Sequence, residues 1–311
     1  MRFNLLVLLI AFAMPIVSCS APPRGPAPTG AVGGTSGIST IPPMGPQPAG
    51  SVTLVGAGDI ASCESFGDEE TAFLLDQIPG TIFTTGDNVY SSGSYREFEQ
   101  CYNPSWGRHK SRTRPTPGNH DYDTPNGAGY YAYFGAAAGD RFKGYYSYDL
   151  GEWHIVALNT MIAHGAGSSQ EKWLTADLAA NTKSCTLAYW HHPRFSSGLE
   201  HGNSTSVQAL WNALYKANAE LVINGHDHSY ERFAPQTPAG AADSVRGIRE
   251  FVVGTGGRSH YHEGTLKAHS EIFESSTYGV LRFTLSPGGY AWRFIPVSGA
   301  SFTDSGEGRC H

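Results

Sequence analysis

The chain has 311 residues, of which 40% are apolar and 12% are aromatic. This composition supports a substantial core in one large domain or two small ones and excludes a chain that is disordered throughout. The formal net charge of −6 argues against a general nucleic-acid-binding protein, because such proteins carry a basic excess.

The N-terminus has the pattern of an export signal. Arg2 precedes an apolar stretch, residues 5–17, that is too short for a typical membrane span. The sequence of residues 16–19, IVSC, resembles the bacterial lipobox, in which the cysteine is acylated and becomes the first mature residue. We predict a lipoprotein signal peptide over residues 1–18 and a membrane anchor at Cys19. Ordinary signal cleavage, which releases a soluble periplasmic or extracellular protein, is the alternative.

Residues 19–50 consist mainly of Pro, Gly, Ala, Ser and Thr, with almost no large apolar side chains. Such a segment cannot bury a core, and we predict a flexible tether. Short apolar runs alternate with helical patterns from Val52 onward. We therefore predict one α/β domain over residues 51–311.

Periodicity within this domain predicts individual strands and helices. Apolar residues at helical spacing predict helices at about 169–180 and 207–215, the second with Asn203 or Ser204 available as its N-terminal cap. Apolar runs that are typical of buried strands cover residues 52–58, 81–85, 187–190 and 221–223. Turn residues predict hairpins at residues 151–152 and 287–289.

Side chains with oxygen or imidazole donors follow short apolar runs of this kind. They are Asp59, Asp87 with Tyr90, Asn119 with His120, His191, and His226 with His228. In an open α/β sheet the loops that leave the C-terminal strand ends meet in one crevice, so donors far apart in sequence can surround one pair of ions. A carboxylate can bridge two ions about 3.5 to 4 Å apart, and Asp87 is the candidate for that bridge.

This donor pattern resembles that of the calcineurin-like metallophosphoesterases and, within them, of the purple acid phosphatases, over most of residues 52–297. The first superfamily motif usually reads Asp-x-His, but Asp59-Ile60-Ala61 lacks the histidine, as purple acid phosphatases also do. Those enzymes carry a tyrosine three residues after the bridging aspartate, which is the position of Tyr90. The resemblance implies a sandwich of two mixed β-sheets flanked by helices, with a dinuclear metal site at the C-terminal strand ends.

The resemblance also implies which residue binds which ion. Ferric iron would be bound by Asp59, Asp87, Tyr90 and His228. A second, divalent ion (Fe, Zn or Mn) would be bound by Asp87, Asn119, His191 and His226. Ferric iron suits the tyrosine because a phenol has a pKa of about 10, and a hard, highly charged Lewis acid is needed to keep it ionised at acidic pH.

Three further residues are catalytic candidates by the same resemblance. His201 matches in approximate spacing a histidine that some family members place near the leaving group, although it could also be a surface residue. His120 resembles the superfamily histidine that contacts phosphate. Asp121 could orient His120 or could be a simple turn residue. His192 directly follows His191, and the family pattern places the ligand first, so we predict a packing or supporting role for His192.

Two segments have both a functional and a structural interpretation. Arg108, Lys110, Arg112 and Arg114 form a basic run that could steer phosphate, but we favour a solvated loop. Residues 254–258, GTGGR, could bind an anion through backbone amides. We favour a strand exit whose glycines let the loop pass close to the metals.

Four cysteines remain after Cys19, an even number in a chain predicted to be exported. Three pairings are possible, and four buried thiols are the alternative. We favour Cys63 with Cys101, because both follow shortly after the first two metal-binding strand ends. Cys185 would then pair with Cys310.

The function implied is that of an exported acid phosphatase that hydrolyses phosphate monoesters by attack of metal-bound hydroxide, with His201 and His120 assisting the departing alkoxide. Its predicted partner is a small phosphorylated substrate, with no nucleic acid and with membrane contact only through the lipid anchor. The oligomeric state is not predicted. A phosphodiesterase that uses the same site is one alternative. A non-catalytic surface binding protein with structural metals is an alternative from another class.

Overall fold

The computed structural model describes residues 47–311. The predicted signal peptide, Cys19 and most of the predicted tether lie outside the described residues. Within residues 47–311, no helix combines the length and the apolar character that a membrane crossing requires.

In the described residues, strands and helices are interspersed as far as β9, and only strands follow it. The strands are β1 (Val52–Ala57), β2 (Ala61–Ser62), β3 (Thr81–Thr85), β4 (Val89–Tyr90), β5 (Thr113–Thr116), β6 (Tyr146–Leu150), β7 (Trp153–Ala157), β8 (Cys185–Tyr189), β9 (Leu221–Asn224), β10 (Tyr230–Phe233), β11 (Arg249–Val253), β12 (Ser270–Glu274), β13 (Gly279–Ser286), β14 (Gly289–Pro296) and β15 (Ser305–Arg309). The α-helices are α1 (Gly67–Gln77), α2 (Tyr95–Glu97), α3 (Asn119–Asp123), α4 (Ala128–Phe134), α5 (Ser169–Ala180) and α6 (Gln208–Lys216). Shorter helical turns of other types cover Phe98–Tyr102, Trp106–Arg112, Pro125–Gly127 and Gly135–Ala138.

The strands form two larger sheets and one small ribbon. The six-stranded sheet has the order β15-β14-β13-β1-β3-β5, and the seven-stranded sheet has the order β12-β10-β11-β9-β8-β7-β6. Strands β1, β3 and β5 are parallel to one another, as are β7, β8, β9 and β11, and the outer strands pair antiparallel. Both sheets are therefore mixed, which confirms the predicted fold class.

The alternation of side chains along the parallel strands builds two apolar layers. Ile155, Leu187 and Ile223 belong to the large cluster that includes residues of both sheets, in which the rings of Phe251 and Phe283 lie 5.3 Å apart. Their sequence neighbours Val156, Ala188 and Val222 belong to a second cluster with residues of α5 and α6. Successive strand residues point to opposite faces, so one sheet packs against its partner sheet on one side and against helices on the other.

Most of the predicted elements are confirmed, and one predicted cap is wrong. Helix α5 covers the predicted range, and α6 begins at Gln208, one residue later than predicted. The N-cap of α6 is Val207, without a side-chain hydrogen bond. Asn203 does not cap this helix, because its Oδ1 accepts the backbone N–H of Ser196 at 2.9 Å.

The basic run is not the solvated loop that we favoured, because it lies in the helical turn Trp106–Arg112 and in β5, and two of its arginines bind the scaffold. Arg112 donates to the backbone oxygens of Leu75, in the last turn of α1, and of Ile78 and Gly80, in the turn that follows it. Arg108 forms a bidentate pair with Asp76.

Two disulfides join distant parts of the described chain. One links Cys63 to Cys101, and the other links Cys185 at the start of β8 to Cys310 after β15. This is the favoured pairing. Disulfides form and persist in oxidising compartments, so the two bonds are consistent with export.

Candidate metal centre

The predicted donors meet where the C-terminal ends of parallel strands from both sheets converge. Asp59 follows β1, Asp87 follows β3 and Asn119 begins α3 after β5, while His191 follows β8 and His226 follows β9. Backbone hydrogen bonds join the strand exits to one another, for example from Gly58 N to Val253 O at 2.8 Å. The sheet order therefore brings together residues that are up to 169 positions apart, counting from Asp59 to His228.

The backbone turns sharply at three of these donors. Asp59, Asp87 and His226 have φ angles of 59°, 47° and 73°, in the left-handed region where Asp and His are enriched among the residues other than glycine. Gly86 has a φ angle of 90°, and a Cβ atom there would lie 2.7 Å from His191 Nδ1. The glycine thus allows the Asp87 loop to approach the histidine loop closely.

A first group of donors surrounds the hydroxyl of Tyr90. This oxygen lies 2.9 Å from Asp59 Oδ1, 3.0 Å from Asp87 Oδ2 and 3.1 Å from His228 Nε2. His228 Nε2 is also 3.3 Å from Asp59 Oδ1. These four side chains, all buried, are the set predicted for ferric iron.

A second group lies on the other side of Asp87. His191 Nε2 is 3.0 Å from Asn119 Oδ1, 3.1 Å from His226 Nδ1 and 3.4 Å from Asp87 Oδ2. These are the four residues predicted for the divalent ion. Asn119 and His226 are partly exposed, so the centre opens to solvent on this side.

One oxygen of Asp87 belongs to both groups. Its Oδ2 atom contacts Tyr90 in the first group and His191 in the second. Its Oδ1 atom instead accepts the backbone N–H of His120 at 2.8 Å. The bridge expected of Asp87 would therefore be made by a single oxygen, with the other oxygen holding the carboxylate in orientation.

Contacts behind the donors orient the imidazole rings. His191 Nδ1 lies 2.8 Å from the carbonyl oxygen of Thr85, and because a carbonyl can only accept, Nδ1 donates and Nε2 faces the centre. His228 Nδ1 lies 2.7 Å from Ser259 Oγ, and the ring of Tyr261 stacks on the His228 ring at 3.9 Å.

The electrostatics of the site favour protons on Tyr90 and His191 and a neutral ring at His226. Burial together with the carboxylates of Asp59 and Asp87 raises the pKa of the Tyr90 phenol well above its usual value. Burial lowers the pKa of His191, but the adjacent Asp87 outweighs it and raises that pKa to about 9. Burial and the neighbouring His191 lower the pKa of His226, which keeps its ring neutral and its lone pair available.

The donor set fits metal ions. Ligand atoms of Asp59, Asp87 and His191 lie within 4.8 Å of one another in a buried position. Carboxylate and amide oxygens and the lone pairs of neutral imidazoles only accept, and their convergence is stabilised by cations. The first group has three oxygen donors and one nitrogen donor, and the second has two of each, so the two groups differ in hardness.

The candidate substrate histidines contact different donor groups, His120 the first and His201 the second. The His120 ring is 4.5 Å from the Tyr90 ring, and its Nδ1 donates to Ser91 O at 2.6 Å, which leaves Nε2 available to a substrate. The exposed His201 ring stacks on His226 at 3.8 Å, at the solvent-open side. The ring of His192 packs against His226 at 4.4 Å, in agreement with a supporting role.

Asp121 does not orient His120, contrary to that expectation. Its buried carboxylate accepts the backbone N–H groups of Asn88 and Gly118 and the side-chain amide of Asn88. Burial and the nearby Asp87 raise the pKa of Asp121 to about 7. The Asp121 side chain thus joins the Asp87 loop to the Asn119 loop.

The loop after β11 supplies Arg258, the last residue of the glycine-rich segment, and two residues that the sequence analysis did not single out, Ser259 and Tyr261. Ser259 and Tyr261 contact His228, and the Arg258 guanidinium lies over the Tyr90 ring, with Cζ 5.1 Å from the centroid. Three amides of this glycine-rich segment, those of Gly254, Gly256 and Arg258, donate to other backbone groups, for example Gly256 N to Gly58 O at 2.9 Å. The segment is therefore a strand exit, as favoured, and its glycines were the available signal.

Comparison with known proteins agrees with this geometry. Residues 53–230, more than half of the chain, match the calcineurin-like phosphoesterase family. The chain belongs to this family.

Similar proteins include purple acid phosphatases. Over 93 residues the chain is 38% identical to purple acid phosphatase 15 of Arabidopsis thaliana, a match that covers 28% of this chain and 18% of that protein. The structure of purple acid phosphatase PPD1 from yellow lupin seeds resembles this fold with a TM-score of 0.68 at 18% identity, covering 83% of this chain and 53% of that one. GAP50, described as the anchor in the inner membrane complex of Plasmodium, has a TM-score of 0.63 at 16% identity, covering 82% of this chain and 88% of that one. The chain therefore spans only part of the phosphatases that it resembles.

Proposed function

We propose that the protein is a metal-dependent phosphoric ester hydrolase of the purple acid phosphatase type, acting on phosphate monoesters at a dinuclear centre. The observation that carries this proposal is the arrangement of seven donors in two groups that share one oxygen of Asp87. The same geometry would allow hydrolysis of diesters. Turnover of a monoester and of a diester measures which substrate is preferred.

The proposed first ion is ferric iron, and the second is a divalent Fe, Zn or Mn. The support is Tyr90, whose hydroxyl lies within 3.1 Å of three other donors although burial and two carboxylates disfavour its ionisation. A trivalent cation offsets this cost better than a divalent one. When bound, the ion pair would supply Lewis acidity that activates water and offsets charge on the phosphoryl oxygens.

The side chains of the protein would bind and orient the ester. His120 has one ring nitrogen fixed by Ser91 and the other available to a phosphoryl oxygen. His201 is exposed at the open side, where a leaving group can reach it and receive a proton. Contacts with His120 and His201 would hold the phosphoryl group of the ester between the two donor groups.

The site, rather than the fold, supports an enzyme. GAP50 has a similar fold and is described as an anchor, so the fold by itself is compatible with a non-catalytic surface protein. A structural metal clip requires neither a shared carboxylate oxygen nor partly exposed ligands on one side. Here both features are present, at Asp87 and at Asn119 and His226.

The proposed location is outside the cytoplasm, with a lipid anchor at Cys19. The two disulfides support export. The anchor follows from the lipobox-like sequence at residues 16–19. The proposed partner remains a small phosphorylated substrate and not a nucleic acid.

The proposal is tested by hydrolysis of an aryl phosphate and of a bis-aryl phosphate with the metal-loaded protein. We expect the monoester to be preferred and chelation to abolish turnover. Asp87→Asn replaces the shared oxygen donor and should lower kcat/KM at least about 100-fold with the fold retained.

The matched control is Asp140→Asn, which removes an exposed carboxylate outside the centre and should leave turnover unchanged. Unchanged turnover in Asp87→Asn would refute the site. A preference for the bis-aryl ester would reassign the protein as a phosphodiesterase, and a metal-loaded wild type that hydrolyses neither ester would favour the binding-protein alternative.

A further inference from the structure

The loop that follows β11 presents a cationic side chain at the tyrosine side of the centre. Arg258 N donates to Asp59 O at 3.0 Å, so the loop is attached directly to the first donor. The partly exposed guanidinium of Arg258 lies over the Tyr90 ring, with Cζ 5.1 Å from the ring centroid. The two residues further along the loop, Ser259 and Tyr261, contact His228. The loop therefore lines the first donor group.

The charge of Arg258 is not neutralised by the protein. Within residues 47–311 the structure shows no ion pair and no hydrogen bond from its guanidinium, whereas Arg232 pairs with Asp304 and Arg249 pairs with Glu271. A guanidinium carries five N–H donors in a planar fork that matches the oxygens of phosphate. The contact with the Tyr90 ring, with Cζ 5.1 Å from its centroid, limits the motion of the guanidinium and so lowers the entropy lost when a ligand binds.

We propose that Arg258 is a phosphate-binding residue of this site, which donates to phosphoryl oxygens of the substrate and of the inorganic phosphate product. The inference rests on the proposed function and adds a recognition residue to it. The His120 ring also contacts Tyr90, at 4.5 Å, so the arginine and the histidine would hold the phosphoryl group from two directions over one tyrosine.

Binding of inorganic phosphate to the metal-loaded protein tests the proposal without turnover. Equilibrium dialysis should show that Arg258→Gln weakens phosphate binding by about 10- to 100-fold, the size expected for loss of a charge-assisted pair. Arg258→Lys should recover part of the affinity, because lysine keeps the charge but not the fork. Added guanidinium chloride should partly restore binding to Arg258→Gln, and sodium chloride at the same concentration should not.

Turnover gives a second readout. For an aryl phosphate, Arg258→Gln should raise KM by more than it lowers kcat, because the contact already exists in the bound substrate. The matched control is Arg141→Gln, since Arg141 also stacks on an aromatic ring, that of Phe142, but lies outside the two donor groups. This variant should bind phosphate as the wild type does.

The failures of the two proposals are distinguishable. Hydrolysis by the wild type with unchanged phosphate affinity in Arg258→Gln would overturn the role of Arg258 and leave the proposed function intact. A change limited to the absorption spectrum or the metal content of the variant would also overturn it, because Arg258 would then act only on Tyr90. Arginine-dependent phosphate binding without hydrolysis of any ester would support Arg258 while the proposed function fails.

Discussion

At the scale of single residues, the geometry of the centre depends on side chains that have two polar atoms. One atom binds the surrounding backbone, and the other is left for the donor groups. Asp87 uses Oδ1 to hold the backbone of His120 and leaves Oδ2 for both donor groups. His191 uses Nδ1 to hold Thr85 O and leaves Nε2 for the second group. Atoms that are fixed behind the site lose little freedom when a ligand binds, which favours affinity and defined geometry.

Tyr90→Phe tests the tyrosine at this scale. The substitution keeps the buried ring and removes the hydroxyl that lies within 3.1 Å of three donors. We expect a visible absorption band in the iron-loaded wild type and its loss in the variant. We also expect iron affinity to fall by about 10- to 100-fold or more. Removal of a residue that only orients a ligand already lowers metal affinity by that factor, and Tyr90 would itself be a ligand.

Tyr95→Phe is the matched control, because Tyr95 is an exposed tyrosine outside the centre. Its spectrum and iron content should equal those of the wild type. A band of full intensity in Tyr90→Phe would show that the phenolate is not the source of the colour.

At the scale of elements, three buried carboxylates of the seven-stranded sheet and its loops hold the segment that carries His201. Glu250 accepts the backbone N–H of Arg194 at 2.8 Å, and Glu231 accepts that of Ser197 at 2.7 Å. Asp227, between the two histidines of its motif, accepts the N–H of Gly202 at 3.1 Å. Side chains thus accept several backbone N–H groups of a segment without strand or helix, and this segment places His201 next to His226.

Glu231→Ala tests this arrangement. It leaves the N–H and the hydroxyl of the fully buried Ser197 without their acceptor, and we expect the free energy of unfolding to fall by about 1–3 kcal/mol. Urea denaturation measures this loss. Hydrogen exchange should show that the Ser197 amide loses protection, while the metal content stays unchanged because the seven donors lie outside the segment.

Two further variants serve as controls for this measurement. Glu231→Gln keeps one acceptor oxygen for Ser197 N–H and should recover most of the stability. Glu263→Ala removes an exposed carboxylate and should have little effect. Equal exchange rates at Ser197 in Glu231→Ala and in the wild type would contradict the positioning role of Glu231.

At the scale of the whole molecule, the end of the chain is attached to the start of two central strands. Cys310 is bonded to Cys185 at the start of β8, and Glu220, just before β9, accepts the N–H of Thr186 at 2.6 Å. His311 N also lies 3.4 Å from the Glu220 carboxylate. Glu220 is 2% exposed, and its burial raises the pKa of its carboxyl to about 7.

This buried carboxyl makes folding stability depend on pH. The folded state holds the Glu220 proton up to a pH of about 7, whereas the unfolded chain loses it near the ordinary value of 4.5. The contribution of Glu220 to the free energy of unfolding is therefore fully present below pH 4.5 and is lost as the pH rises through 7. Glu220→Gln should become more stable relative to the wild type across this window, by on the order of 3 kcal/mol.

Urea denaturation at a series of pH values checks this expectation, with the exposed Glu307→Gln as the control. The control should follow the wild type at every pH. A constant difference in stability between Glu220→Gln and the wild type would contradict a raised pKa at Glu220.

The N-cap predicted for α6 shows where the local sequence was insufficient to predict a side-chain contact. Asn203 has a favourable residue type for a cap, but its side chain bonds to Ser196 across the loop. Asp121 is a similar case, because its partners Asn88 and Gly118 belong to strand exits that meet only in the folded sheet. Both side chains have several possible hydrogen-bond partners, and the fold selects among them.

The sequence by itself predicted helices α5 and α6, strands β1, β3, β8 and β9, two hairpins, the fold class and the seven candidate donors. Hydrophobic periodicity and donor chemistry are properties of short segments, which is why Tyr90 and the paired histidines were visible before any coordinates. Only the tertiary structure decided that one oxygen of Asp87 belongs to both donor groups and that Arg258, Ser259 and Tyr261 line the first group. The contacts of the Arg258 loop depend on β11 lying next to β9, and the order of strands in a sheet is set by packing between residues far apart in the chain.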